Sequence, residues 1–140
     1  FAVSKNPAML ARLTAAGGGL VPAPNVLAQV ATIAAYRHGN DWLESTLGYL
    51  RGNRDRVVSF VRERLPSVGV HSPAATYLAW LDLRATGLGD APAKALAERA
   101  KVGLNEGSDF GKGGAGFVRL NFATSRTILD TALERLASVL

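Results

Sequence analysis

The spacing of apolar residues changes period at Pro66, and that change constrains the fold more than any other feature of the chain. Before it, Leu43, Leu47, Leu50, Val57, Val61 and Leu65 recur at intervals of three, four or seven. That spacing places them on one stripe of an α-helix. Proline lacks an N–H and its ring clashes with the preceding turn, so Pro66 ends the helix. After it, Val68 and Val70 alternate with small or polar residues, and Tyr77, Ala79, Leu81 and Leu83 share one face of an extended segment. Phe117, Arg119 and Asn121 then alternate with Val118, Leu120 and Phe122. Period two is the signature of a half-buried strand. A long amphipathic helix followed by short alternating strands predicts an α+β layer, a small sheet covered by helices.

Other elements follow from local chemistry. Asn6-Pro7 starts a helix, because Asn caps and Pro suits the first turn; Met9, Leu10 and Leu13 give it an apolar side, and Gly17-Gly18-Gly19 ends it. Pro22 and Pro24 keep the following loop extended. A second helix is expected from about Asn25 to His38; it is apolar nearly all round, which predicts burial. Gly39 suits its C-terminal cap. Asn40 or Asp41 caps the long third helix to about Leu65, which Gly48 and Gly52 weaken. Gly87-Leu88-Gly89 is a turn, and Asp90 is a candidate cap for a helix through about Ala100 with Pro92 in its first turn. Val102 to Asn105 reads as a short strand, and Ser125 caps a last helix with Ile128 or Leu129, Ala132, Leu133, Leu136 and Leu140 along it. Phe1-Ala2-Val3 reads as the end of a strand that needs neighbours. The chain is therefore expected to begin inside a larger fold, its first helices lacking a partner.

Composition narrows the function classes. The chain has 140 residues, 48% hydrophobic and 19% charged, which suits one globular domain and not a disordered segment. It has no cysteine, so disulfides and thiolate metal sites are excluded. No apolar run approaches the ~20 residues that span a bilayer, and no secretory signal pattern is legible; a cytoplasmic protein without a membrane partner is expected. The net charge is +5, and Arg51, Arg54, Arg56, Arg62 and Arg64 lie in one stretch with Asp55 and Glu63 interleaved. That mixture reads as a solvated helix face or a domain interface. The rival reading, a basic nucleic-acid-binding module, lacks interleaved aromatics for base stacking and predicts steep salt dependence.

Several motifs carry less than their form suggests. Gly111 to Gly116 matches G-x-G-x-x-G, but a strand follows it where a dinucleotide site needs a helix N-terminus. The P-loop pattern fails at Glu106 and Gly113. The segment reads instead as a flexible loop that approaches something closely or moves. His38 and His71 have no metal-ligand partners at helical spacing. Lys5 and Lys112 are the candidates for a carbonyl-binding amine, yet neither lies in an apolar setting. Arg119 stands in a strand just after the glycine loop. It is either salt-bridged to a neighbouring carboxylate or poised to bind a ligand anion through two parallel hydrogen bonds.

Three stretches carry a resemblance: Ala35 to Leu43 (AYRHGNDWL), Thr76 to Arg84 (TYLAWLDLR), and Val102 to Gly111 continuing through Gly116-Phe117-Val118-Arg119-Leu120-Asn121-Phe122. In this order and spacing the chain resembles the C-terminal portion of the MalY/PatB-type cystathionine β-lyases, within the pyridoxal-phosphate (PLP)-dependent class I/II aminotransferase superfamily. One departure is Ala75, where the family usually has glycine, which bears on strand entry.

The resemblance implies a fold-type I PLP enzyme whose small domain closes over the substrate. Residues 1–38 would be the tail of the large PLP-binding domain. Residues 39–140 would be the small C-terminal domain with the long linking helix. It implies that Arg119 binds the substrate α-carboxylate and that the loop from Gly107 to Gly116 helps close the site. It also implies that the Schiff-base lysine, the pyridine-nitrogen acid and the phosphate cup lie upstream of Phe1, leaving no catalytic, cofactor-binding or metal-binding residue in this chain. The complete enzyme would cleave L-cystathionine or related cysteine S-conjugates to a thiol, pyruvate and ammonia, this piece alone being inactive. Its expected partners are a small amino-acid substrate, the rest of the large domain and a second subunit. The alternatives are an aminotransferase of the same superfamily and, from another class, a non-catalytic anion-binding or nucleic-acid-binding module.

Overall fold

The structure is a computed structural model that describes residues 2–20 and 24–140. The readings placed on Phe1 and Pro22 lie outside the described residues. The chain divides into two compact units, Phe1–Trp42 and Leu43–Leu140.

The first unit contains α1 (Pro7–Ala16) and α2 (Val26–His38). Both start where the sequence predicts. The Asn6 side chain accepts from the Ala8 and Met9 N–H groups at 3.0 and 3.3 Å, and that of Asn25 from Ala28 at 2.8 Å. Such caps satisfy N–H groups that a helix cannot pair internally. Two expectations need correction. Ala2 and Val3 form no strand. And α2 is exposed along its whole length, with Leu27 at 77% and Val30 at 60%. The physical reason is that burial needs a covering surface, and two short helices do not supply one for each other.

The helix α3 (Asn40–Arg64) opens at the end of the first unit and runs through the second. Its stripe is buried from Val57 through Val61 to Leu65, while Leu43 is exposed. Four short strands form an antiparallel sheet: β1 (Gly69–Val70), β2 (Leu78–Asp82), β3 (Asn105–Glu106) and β4 (Phe117–Asn121), in the order β1-β2-β4-β3. The helices α4 (Pro92–Arg99) and α5 (Arg126–Ala137) complete the unit. The expected α+β layer is thus present. Ala79 and Leu81 of β2 and Val118 and Leu120 of β4 point into one core with Leu96 of α4, with Leu129, Leu133 and Leu136 of α5, and with the α3 stripe. Burying one such Leu or Val contributes about 1.5–3 kcal/mol, so the second unit carries its own core.

Strand alternation does the rest. With Val118 and Leu120 inward, Phe117, Arg119 and Asn121 must face the other way. Tyr77, expected on the inward face of β2, precedes the strand and is half exposed. The strand expected at Val102 to Asn105 begins only at Asn105, because Val102 is drawn into the core. Asp90 does not cap α4. Ala91 occupies the cap position without a side-chain bond, and the Ala93 N–H is taken by the Glu106 carboxylate at 3.0 Å. A charged acceptor from another strand outcompetes the local one.

One polar residue sits in the core. Asn53 of α3 is fully buried, and its Nδ2 donates to the Phe122 and Thr124 carbonyls at 2.8 and 2.9 Å. It fastens the long helix to the turn that links β4 to α5. The Tyr49 hydroxyl accepts from the Arg126 N–H at 2.7 Å, and Arg56 bonds Asp130 at 2.8 Å, along the same seam.

Candidate functional site

Arg119 occupies the middle of β4, between two neighbours fixed by register. Trp80 of β2 lies directly opposite on one side and Asn105 of β3 on the other. Its guanidinium carbon stands 4.1 Å from the Phe110 ring centroid, in cation–π contact. Phe110 closes the 3-10 turn Gly107–Phe110 that follows β3. Trp80 meets Phe110 edge-on and lies nearly parallel to Phe117, each at 5.7 Å between centroids. The outward face of the sheet therefore carries an aromatic floor, with Arg119 over its Phe110 ring.

The hydrogen bonding of Arg119 bears on its two sequence readings. Nη2 donates to the Asn105 side-chain oxygen at 3.2 Å. Nε is buried and has no partner among the described residues. The ion pairs of the described residues join Arg54 to Asp55, Arg56 to Asp130, Arg64 to Glu134 and Arg84 to Asp82. Arg119 is in none of them, so no described acid compensates its positive charge. A groove of about 720 Å³ adjoins it, walled by Leu104, Asn105, Asn121, Thr127 and Ile128. Its other charged lining residues are Lys101 and Arg135, and no described acid lines it. The surroundings favour an anion.

The glycine loop positions this arrangement. A Cβ on Gly107 would come within 2.6 Å of the Phe117 carbonyl oxygen and closer still to that of Gly114. The two ends of the loop thus touch backbone to backbone, which only glycine permits. Gly116, at φ +78°, donates its N–H to the Asp90 carbonyl at 3.2 Å, and its own carbonyl accepts from Leu83 N–H at 2.9 Å. Of the two readings of this loop, close approach is what the structure displays.

Beside the aromatic floor, Arg84 grips Asp82 with Nε and Nη2 at 2.9 and 2.7 Å and lies 4.8 Å from the Phe117 centroid. The hydrogen bond from Arg84 holds the Asp82 carboxyl below the usual carboxylate range, and the same pair raises the guanidinium. This arginine is spoken for, unlike Arg119.

The remaining candidates are not brought to the site. His38 and His71 are exposed and lie in different units. No metal-binding cluster exists among the described residues. All four lysines, Lys5, Lys94, Lys101 and Lys112, are exposed. A lysine that holds a carbonyl cofactor needs desolvation to be uncharged near neutral pH. None of the four has that setting in this structure. In the arginine stretch, Arg54, Arg56 and Arg64 are consumed by ion pairs, and Arg56 and Arg64 flank the Phe60 ring at 5.5 and 5.4 Å. That agrees with a solvated, paired helix face. The sequence reading found Arg119 but not Asn105, Phe110 or Trp80 as its partners; the signal was available in the β3–β4 register only once β3 was placed.

No protein-family profile matches the chain. The cystathionine β-lyase of Corynebacterium glutamicum is 41% identical over 118 residues, covering 83% of this chain and 31% of the relative. The cystathionine β-lyase PatB of Bacillus subtilis is 38% identical over 124 residues, covering 88% and 31%.

The chain is a homologue of the MalY/PatB-type cystathionine β-lyases.

Among solved structures, cystalysin from Treponema denticola, which contains pyridoxal 5′-phosphate, superposes with a TM-score of 0.85 at 29% identity, covering 98% of this chain and 35% of that one. Aminotransferases are also similar at lower identity, such as the aspartate aminotransferase of Pyrococcus abyssi at 30%. The chain spans about a third of the length of the cystathionine β-lyases it matches. No helix among the described residues is long and apolar enough to cross a membrane.

Proposed function

We propose that the complete protein is a PLP-dependent C–S β-lyase, and that this chain supplies its substrate-carboxylate site through Arg119. In this reading residues 39–140 form the small C-terminal domain and residues 1–38 the tail of the large domain, the cofactor lysine lying upstream. A second subunit completes the enzyme. The observation that carries the reading is the guanidinium of Arg119, which no described acid compensates, set beside an acid-free groove in a homologue of cystathionine β-lyases.

Arg119 presents planar N–H donors to the two oxygens of an amino-acid α-carboxylate, which fixes the carboxylate plane and with it the orientation of the bonds at Cα. PLP, when bound, acts as the electron sink for the bond broken at that carbon. The Phe110 ring covers one face of the guanidinium and keeps water from it there, which strengthens its grip on the anion. The segment Gly107 to Gly116 forms the rim of the site and excludes water when the domains close.

The test is product analysis of the complete protein loaded with PLP. Release of pyruvate from L-cystathionine without added 2-oxo acid supports the lyase. Transfer of the amino group to a 2-oxo acid, with no pyruvate from cystathionine, makes it an aminotransferase of the same fold.

A further inference from the structure

We infer that Asn105 is a positioning residue for the substrate carboxylate: it holds the Arg119 guanidinium in register without neutralising it. The inference rests on the proposed role of Arg119. Asn105 and Arg119 are cross-strand partners on β3 and β4, and the Asn105 Oδ1 accepts from Nη2 at 3.2 Å. Opposed residues in an antiparallel pair have Cβ atoms roughly 5 Å apart, so the contact is set by the ladder and not by chance rotamers. The ladder itself is held at this point: the next residue, Glu106, is bonded through its carboxylate to the first turn of α4. With Phe110 beneath the plane and Asn105 at one edge, the guanidinium has a fixed face and a fixed edge.

The chemical identity of residue 105 matters as much as its place. A carboxamide oxygen orients an arginine as a carboxylate would, but it leaves the full positive charge for the ligand. An aspartate at this position would form a charge-assisted pair with Arg119 and compete with the substrate for it. The side chain with the better bond would thus make the worse site. That separates a positioning role from a structural one, since a merely structural contact is improved by adding the charge.

The experiment uses the complete PLP-loaded protein with Asn105→Asp, Asn105→Ala and Arg119→Ala variants. It reads KM and kcat for pyruvate release from L-cystathionine. It also reads the dissociation constant of 2-aminoisobutyrate from the change in cofactor absorbance, and the melting temperature. Asn105→Asp is expected to raise KM and the dissociation constant about 100-fold, with kcat changed less than about threefold and no loss of thermal stability. Asn105→Ala is expected to raise both by about five- to tenfold, the upper end of what one ordinary hydrogen bond contributes. If Arg119→Ala weakens binding while either Asn105 variant binds as wild type does, the positioning role is wrong and Arg119 is oriented by other contacts. If Arg119→Ala itself leaves binding unchanged, it is the carboxylate reading that fails.

Discussion

Replacing Asn53 with alanine tests how the second unit is held together. The side chain is fully buried and donates twice, to the carbonyls of Phe122 and Thr124. Each hydrogen bond contributes about 1 kcal/mol net. The loss is larger than their sum, because the buried Phe122 carbonyl is left without this partner, at a further ~1–3 kcal/mol. Against this, the Asn53 Oδ1 is buried with no partner, so its removal returns about 1 kcal/mol of desolvation cost. The balance is a destabilisation of about 3 kcal/mol. With a urea slope of about 2 kcal/mol/M, the unfolding midpoint should fall by about 1.5 M. Urea titration followed by tryptophan fluorescence reads the shift, since Trp80 lies on the sheet. A shift below ~0.3 M would refute the reasoning, because the two bonds would then be worth nothing in context. Asn53→Asp should cost more at neutral pH, since it sets a carboxylate against two carbonyl oxygens and buries an unpaired charge.

Three further outcomes follow from the geometry. Gly114→Ala sets a Cβ against the Gly107 backbone and should destabilise by about 3 kcal/mol, read as a fall in the thermal midpoint; an unchanged midpoint would mean the loop is not packed on itself. Glu106→Ala uncaps α4 and should cost about 1 kcal/mol, with faster amide exchange at Ala93 as the local readout. Asp82, whose carboxyl is held below its usual range by Arg84, stabilises the fold fully above the unfolded carboxylate pKa of about 4 and loses that contribution as pH falls through its lower folded value. Asp82→Asn should therefore show a smaller loss of stability between neutral and strongly acidic pH than the wild type, in acid titrations of the melting temperature.

What was legible in the sequence was what is decided locally. Asn6, Asn25 and Ser125 each cap the helix they precede, because a cap is chosen within three residues of its own chain. The alternation of β4 was legible too, and with it the outward direction of Arg119. What failed was decided at a distance. Glu106 took the place expected of Asp90 because a strand folds back onto the α4 N-terminus. The apolar α2 is exposed because composition states what a helix would bury, not whether a surface is there to cover it. Asn53 escaped notice since an apolar stripe is read by counting hydrophobic residues, and its value depends on two carbonyls about seventy positions away. Arg119 could be singled out, but what favours a ligand over an internal ion pair required knowing that residue 105, opposite it, is an amide and that no described acid lines the adjoining groove.

The most direct test of Arg119 as the carboxylate site is a cycle between the side chain and the ligand group. In the complete PLP-loaded protein, the affinity for 2-aminoisobutyrate is compared with that for isopropylamine, which differs only by the carboxylate, in the wild type and in Arg119→Ala. The wild type should prefer the carboxylate-bearing ligand by about 2–4 kcal/mol, and the variant should lose most of that preference. An equal preference in both proteins would show that the carboxylate is bound elsewhere, and would contradict the account.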